Sequence, residues 1–439
     1  MTALPVPGAI PDYFATDARR APARLAEPAT ALFVDDEPRV LAGLKNLLRR
    51  HRATVTSQFA NSAEEAIELM ARQTFDILAT DIRMPRVDGL ELLAHARKHS
   101  PGTARVILSG HAPQEAKLMC SPLAHQFLMK PCAPADLLTA FRRIIWAHQL
   151  LPDRDLRAAL GKFSVFPQSP TTVRLVHDHQ SGVSTGIEAL AKACLSDVTL
   201  LARTLRIARC DRFDPSAPLD SVRKALYSLG GEPVARIAES VEHESRFDIT
   251  TSYAWLRWSD ETLHAFDVAI RTQKILEKTA PAFALQGALV GLLHDLGRLA
   301  LLASYPLTMK ALRGYPAIDK NEAVHREQEL LGTDHAQVGA YLLALWGYPE
   351  EVVVPVLVHH HELGAVSEQT LSYAPILDAL RIAECEANAQ FAQPLELASE
   401  LIPEGELLAM PSATPDPNHP SASAANLIPP RTTGEVGHG

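Results

Sequence analysis

"DILATDIRMPRVDG", residues 76–89, opens with a short apolar run and delivers an aspartate, Asp81, at its end. Working outward, "ALFVDD" (31–36), "ATVTSQF" (53–59), "ARVILSG" (104–110) and "HQFLMKP" (125–131) are further short runs of strand type. Between them lie "PRVLAGLKNLLRR" and "SAEEAIELMARQ", whose apolar positions recur at three and four, the helical period. Five strands alternating with helices predict a doubly wound α/β domain with a parallel sheet and its site at the carboxyl ends of the strands. "ADLLTAFRRIIWAHQLL" closes that domain as a helix.

The strand ends carry chemistry. Asp35 and Asp36 end the first strand and Asp81 the third, so in a parallel sheet three carboxylates converge on one crevice. Such a cluster repels itself unless a hard divalent cation joins it, and oxygen ligands suit Mg²⁺. Ser109 ends the fourth strand with a hydroxyl, and Lys130 ends the fifth with an ammonium that can meet a carboxylate or a phosphoryl group. Polar loop residues at strand ends are common, but five groups of matching type at neighbouring ends are not.

The motifs "VDDE", "TDIRMPRVDG", "ILSG" and "FLMKP" make residues 30–150 resemble a receiver domain of a two-component response regulator. That resemblance implies that Asp81 accepts a phosphoryl group from a sensor histidine kinase. It further implies that Asp35, Asp36, Asp81 and the backbone carbonyl of Arg83 hold Mg²⁺, and that Ser109, Phe127 and Lys130 form the switch.

Beyond Pro152 the pattern changes to helices alone. "GLLHDLGRL" (291–299) sets His294 and Asp295 in an apolar run, and His264, His335 and the run His359-His360-His361 fall in the same region. Helical neighbours point about 100° apart, so at most two of three adjacent histidines can face one site. Taken singly, each histidine fits a core or surface position. Together their order resembles the HD superfamily of metal-dependent phosphohydrolases, which implies a cluster of His264, His294, Asp295, His335, His360, His361 and Glu384, suited to Fe, Mn or Zn. Arg298 stands where that pattern has a lysine and is a candidate phosphate clamp. No Gly-Tyr-Pro follows the histidine pair; residues 314–316 and 347–349 spell it too early.

"FPQSPTTVRLVHDHQSGVSTGIEALAKACLSDVTLLARTLRIARCDRF" with "LDSVRKALYSLGGEPV" decides between these relatives. It makes residues 155–390 resemble an HDOD domain, an HD-related output module. The expected architecture is therefore a flexible leader (1–29), a receiver (30–150), an all-α HDOD domain (155–390) and a disordered tail (391–439). The expected function is a phosphorylation-controlled response regulator whose output passes through protein contacts or a bound nucleotide. The alternative is a receiver-gated phosphohydrolase acting on cyclic dinucleotides.

Composition bounds these readings. The 439 residues are 47% hydrophobic and 21% charged, which is the balance of a globular chain. A net charge of -9 disfavours a broad DNA-binding surface. No secretory signal is read, and no uninterrupted apolar run approaches the ~18–20 residues of a membrane span. The five scattered cysteines suggest reduced thiols in a cytoplasm, and the chain leaves room for a homodimer.

Overall fold

The computed structural model describes residues 28–51, 54–110, 123–162, 197–212, 258–313, 320–361 and 370–387, with isolated positions 178, 181 and 194. The tail and nearly all of the leader lie outside the described residues. So does most of the segment between 163 and 257 on which the HDOD resemblance leaned.

The first domain runs β1 (Ala29–Val34), α1 (Pro38–Leu48), β2 (Val55–Ala60), α2 (Ala63–Arg72), β3 (Ile77–Thr80), α3 (Gly89–His99), β4 (Ala104–Ser109), β5 (Gln126–Met129) and α4 (Pro134–Leu150). All five strands pair in parallel in the order β2-β1-β3-β4-β5. The chain therefore reverses its direction of winding after β2. That reversal leaves the ends of β1 and β3 side by side, with Val34 opposite Thr80. β1 starts at Ala29, inside the expected leader, because the Thr30 amide and hydroxyl both donate to Asp76 across the sheet.

Both faces of the sheet are covered. Leu32, Val34, Leu78 and Ile107 pack with Leu92, Leu93 and Ala96 of α3 on one side. On the other, Phe33 stacks on Phe59 at 5.4 Å and on Phe141 of α4 at 5.5 Å. Helix starts are marked locally. Ser62 caps α2 by accepting from the Glu65 amide, while Glu65 accepts from the Asn61 amide, and Asp88 caps α3.

The rest of the described chain is helical: α5 (Arg154–Lys162), α6 (Val198–Arg212), α7 (Trp258–Thr279), α8 (Ala284–Leu293), α9 (Leu296–Ser304), α10 (Pro306–Arg313), α11 (Lys320–Leu331), α12 (His335–Leu345), α13 (Glu350–Val358) and α14 (Ala374–Glu386). α7 packs on α8 and α14, α9 packs on α12, and α12 packs on α13. Pro281–Ser304 is long and apolar enough to cross a bilayer, but 78% of its apolar window is buried inside the fold, as befits a core segment.

The sheet domain and the helices form one compact unit. α4 is buried on two sides: Phe141 faces the sheet, while its later turns pack against α12. Hydrogen bonds cross the seam from Gln126 Nε2 to Leu345 O (3.1 Å) and from Arg143 to Gly347 O (3.2 Å). The early Gly-Tyr-Pro at 347–349 has a structural use here. Gly347 turns the chain at φ +79°, the buried Tyr348 hydroxyl donates to Ala202 O of α6, and Pro349 caps α13.

Candidate functional sites

At the carboxyl end of the sheet, Asp35, Asp36 and Asp81 offer oxygens that lie within 4.8 Å of one another. The Lys130 ammonium bridges two of them, at 2.5 Å from Asp35 Oδ2 and 2.8 Å from Asp81 Oδ2. Burial alone would lower the Lys130 pKa, but its hydrogen bonds to Asp35 and Asp81 outweigh that and raise it. Asp81 Oδ1 accepts from the Ile82 amide at 2.6 Å, so the carboxylate is oriented at both oxygens. Gly89 makes this loop geometry fit: a Cβ there would lie 1.9 Å from the Asp81 carbonyl oxygen. Ser109 is buried at the end of β4, Phe127 packs on the core from β5, and Arg83 lies exposed two residues past Asp81.

The second cluster gathers around Asp295. Its Oδ1 lies 3.3 Å from His335 Nε2, and its Oδ2 lies 3.5 Å from His294 Nε2 and 3.8 Å from His264 Nε2. Asp295 thus joins two groups, one with His335, His359 and His360, the other with His264, His294 and Glu384. Glu384 Oε1 is 3.5 Å from His294 Nε2. The histidine pair differs from the sequence expectation by one residue. His359 and His360 enter the cluster and His361 does not, because α13 ends at Val358 and the helical turn carries His361 past the site.

Helix ends set the imidazoles. His294 and His359 sit at the C-caps of α8 and α13, and their Nδ1 atoms lie 2.6 Å and 2.7 Å from the carbonyls of Gly291 and Val356. A carbonyl can only accept, so each Nδ1 donates there and Nε2 is the ring nitrogen turned inward. His294 Nε2, His359 Nε2 and Asp295 Oδ1 are buried without a hydrogen-bond partner. Nitrogen and carboxylate donors left open in this way fit a borderline divalent metal.

Close helix packing brings the donors together. A Cβ on Gly297 would lie 1.9 Å from the His335 carbonyl oxygen, so only glycine lets α9 and α12 touch there. Arg298 lies 3.0 Å from Asp295 Oδ2 and 3.7 Å from Glu261, so its guanidinium is engaged within the cluster. Burial would raise the Asp295 pKa, but Arg298 and then His294 and His335 hold it well below the usual range. Burial, then His335, pushes His360 down to about 2, while Glu327 outweighs burial and raises His335. Glu261 and Glu327 escaped the sequence reading, since neither sits in a motif. For His359 the signal was present in the triple run, and only its phase was missed.

Comparison with known proteins gives the class, that of a two-component response regulator. A response regulator receiver domain model matches residues 31–142 and an HDOD domain model matches residues 166–362. The chain therefore carries a receiver domain followed by an HDOD domain. It is 32% identical over 127 residues to the hydrogenase transcriptional regulatory protein HoxA of Cupriavidus necator, a match covering 28% of this chain and 26% of that protein. It is 29% identical over 128 residues to the nitrate/nitrite response regulator protein NarL of Escherichia coli, covering 29% of this chain and 59% of that one. The match thus spans less than two thirds of either relative. Among solved structures, the signal receiver domain of an HD domain-containing protein from Pseudomonas fluorescens Pf-5 is 26% identical, covering 29% of this chain and 93% of that one at a TM-score of 0.27.

Proposed function

We propose that this response regulator is switched by phosphorylation of Asp81 and signals through its helical domain. The observation that carries this reading is the convergence of Asp35, Asp36 and Asp81 with Lys130 bridging two of them. Asp81 takes the phosphoryl group from a sensor histidine kinase: an Asp81 oxygen bonds to phosphorus as the bond to the kinase imidazole breaks. Asp35, Asp36, Asp81 and the Arg83 carbonyl would hold Mg²⁺, which supplies charge neutralisation for the incoming phosphoryl oxygens. Lys130 then exchanges a carboxylate partner for a phosphoryl oxygen, and Ser109 and Phe127 follow.

Output passes through contact with a downstream protein or a bound nucleotide, and not through direct binding of DNA. The seam between α4 and α12 supports coupling, because α12 begins at His335 and ends at Leu345, the residue that Gln126 of the receiver holds. Couplings of this kind amount to about 1–3 kcal/mol. Acetyl phosphate with Mg²⁺ is expected to alter hydrogen exchange in α12 of the wild type but not of Asp81→Asn. Identical exchange in both would refute the coupling.

A second reading is favoured by the three unpartnered atoms in the His/Asp cluster. His264, His294, Asp295, His335, His359, His360 and Glu384 would hold one or two ions of Fe, Mn or Zn, which supply Lewis acidity and an activated water. Arg298 then serves as the phosphate clamp of a receiver-gated phosphohydrolase. Multiple turnover of a cyclic dinucleotide by metal-loaded protein, lost in the combined variant His294→Ala with Asp295→Ala, would establish it. The first reading expects no such turnover.

A further inference from the structure

We infer that Glu327 is the positioning carboxylate of the His/Asp cluster and makes His335 its dominant metal-retaining ligand. The inference rests on the metal-binding reading above. Of the clustered histidines, His294 and His359 each give Nδ1–H to a neutral main-chain carbonyl. His335 alone among these three gives it to a carboxylate: its Nδ1 lies 2.7 Å from Glu327 Oε2. The same oxygen accepts from the His335 main-chain amide at 2.8 Å, so ring and backbone are fixed by one atom. Pinning Nδ1 outward turns Nε2 toward Asp295 Oδ1 at 3.3 Å and His360 Nε2 at 2.8 Å.

Helix capping accounts for only part of Glu327, its bond to the His335 amide and not its bond to the imidazole. Asp334 already caps α12 by accepting from the Gln337 amide, and Gln328 in turn donates to Asp334 at 2.6 Å. A second carboxylate, buried to 4% exposure at the same helix start, also binds the His335 ring, which capping does not require. Burying an anion is costly unless it is well partnered, and here its two hydrogen bonds both go to a single residue. A carboxylate behind an imidazole raises the basicity of the opposite nitrogen, and loss of such a partner typically weakens metal binding about 10–100-fold. Glu327 thereby distinguishes His335 from its neighbours, whose carbonyl partners orient without adding charge.

The test uses the full chain loaded with Zn²⁺ or Co²⁺. Glu327→Gln keeps an oxygen to accept from His335 and removes the charge. Zn²⁺ affinity by chelator competition is expected to fall about 10–100-fold, with a shifted Co²⁺ absorption band and an unchanged circular dichroism spectrum. Glu327→Asp, which keeps the charge one methylene further away, is expected to fall between Glu327→Gln and wild type. Asp334→Ala removes the cap and the partner of Gln328 while leaving Glu327 in place; it should lower the melting temperature and leave metal affinity unchanged. Wild-type affinity and Co²⁺ spectrum in Glu327→Gln would overturn the inference while leaving the metal centre standing. Equal weakening by Asp334→Ala would also overturn it, since the effect would then be loosening of α12. If the wild type retains neither metal, the metal-centre reading falls and the inference with it.

Discussion

The two acidic centres of this molecule solve the same electrostatic problem in opposite ways. In the receiver, clustered carboxylates are neutralised by an ammonium of the chain's own, Lys130, which bridges Asp35 and Asp81. In the helical domain, Asp295 is neutralised by Arg298 and ringed by buried imidazoles that turn a nitrogen inward. A lysine on a flexible stem can let go and be replaced by a phosphoryl oxygen, which suits a site that must exchange. A guanidinium is a planar, always charged fork, here set between Asp295 and Glu261 beside the imidazoles, which suits a site that must retain.

The contrast can be broken most sharply at Asp81. Asp81→Asn is expected to abolish phosphoryl uptake from acetyl phosphate, read as a lost mobility shift on a phosphate-affinity gel. Next in size is Asp295→Ala, which deprives the Arg298 guanidinium of its 3.0 Å partner. A loss of about 3 kcal/mol is expected in urea unfolding of the metal-free protein, together with loss of bound metal. The corresponding variant Asp36→Ala should change stability little, because the Asp36 side chain is not buried.

Gly297→Ala probes the retaining site without touching a ligand. The added methyl would force α9 off α12, at a cost of about 1–3 kcal/mol, and metal retention should fall with it. Gly89→Ala is the matching probe in the receiver, where phosphoryl uptake should slow as the Asp81 loop shifts.

Two further effects concern the seam. His148 of α4 has its pKa pushed down to about 3, first by burial and then by Arg157 and Arg154, with Asp76 opposing. The unfolded chain takes up a proton near pH 6.5 and the folded chain does not. Stability from this group is therefore complete above that pH and is lost as pH falls toward 3, by at most about 1.4 kcal/mol per unit. His148→Gln should flatten that part of the pH–stability curve. Gln126→Ala removes one interdomain hydrogen bond and should cost about 1 kcal/mol, visible as faster hydrogen exchange at the end of α12.

The receiver was legible in the sequence because strand order and strand ends are local facts. Four of the five short runs end in a candidate site residue, and a parallel sheet brings those ends together. The helical site was legible only in outline. His264, His294, Asp295, His335, His360 and Glu384 do converge, but whether His359 or His361 joins them depends on where α13 stops, and helix ends are set by packing. Glu327 sits in a polar helix with no motif around it, and its partner lies across a turn. Residues 347–349 spell Gly-Tyr-Pro too early for the histidine pair, yet their turn meets both domains. The seam had a visible sign in α4, where Ile144, Ile145, Trp146, Ala147 and Leu150 leave few positions for water.

The double burial of α4 bears on how such a chain can be cut and rejoined. One helix supplies both the receiver's outer layer and a wall of the neighbouring core, so the boundary between the domains runs through shared apolar surface. A cut after Leu150 would leave the helical piece without α4 against α12 around Tyr341, and a cut before Pro134 would leave the sheet open at Phe33. The receiver is therefore not an exchangeable cassette. A transplanted receiver would have to bring both faces of its last helix, and recombination at this junction is constrained to partners that already match on the α12 side.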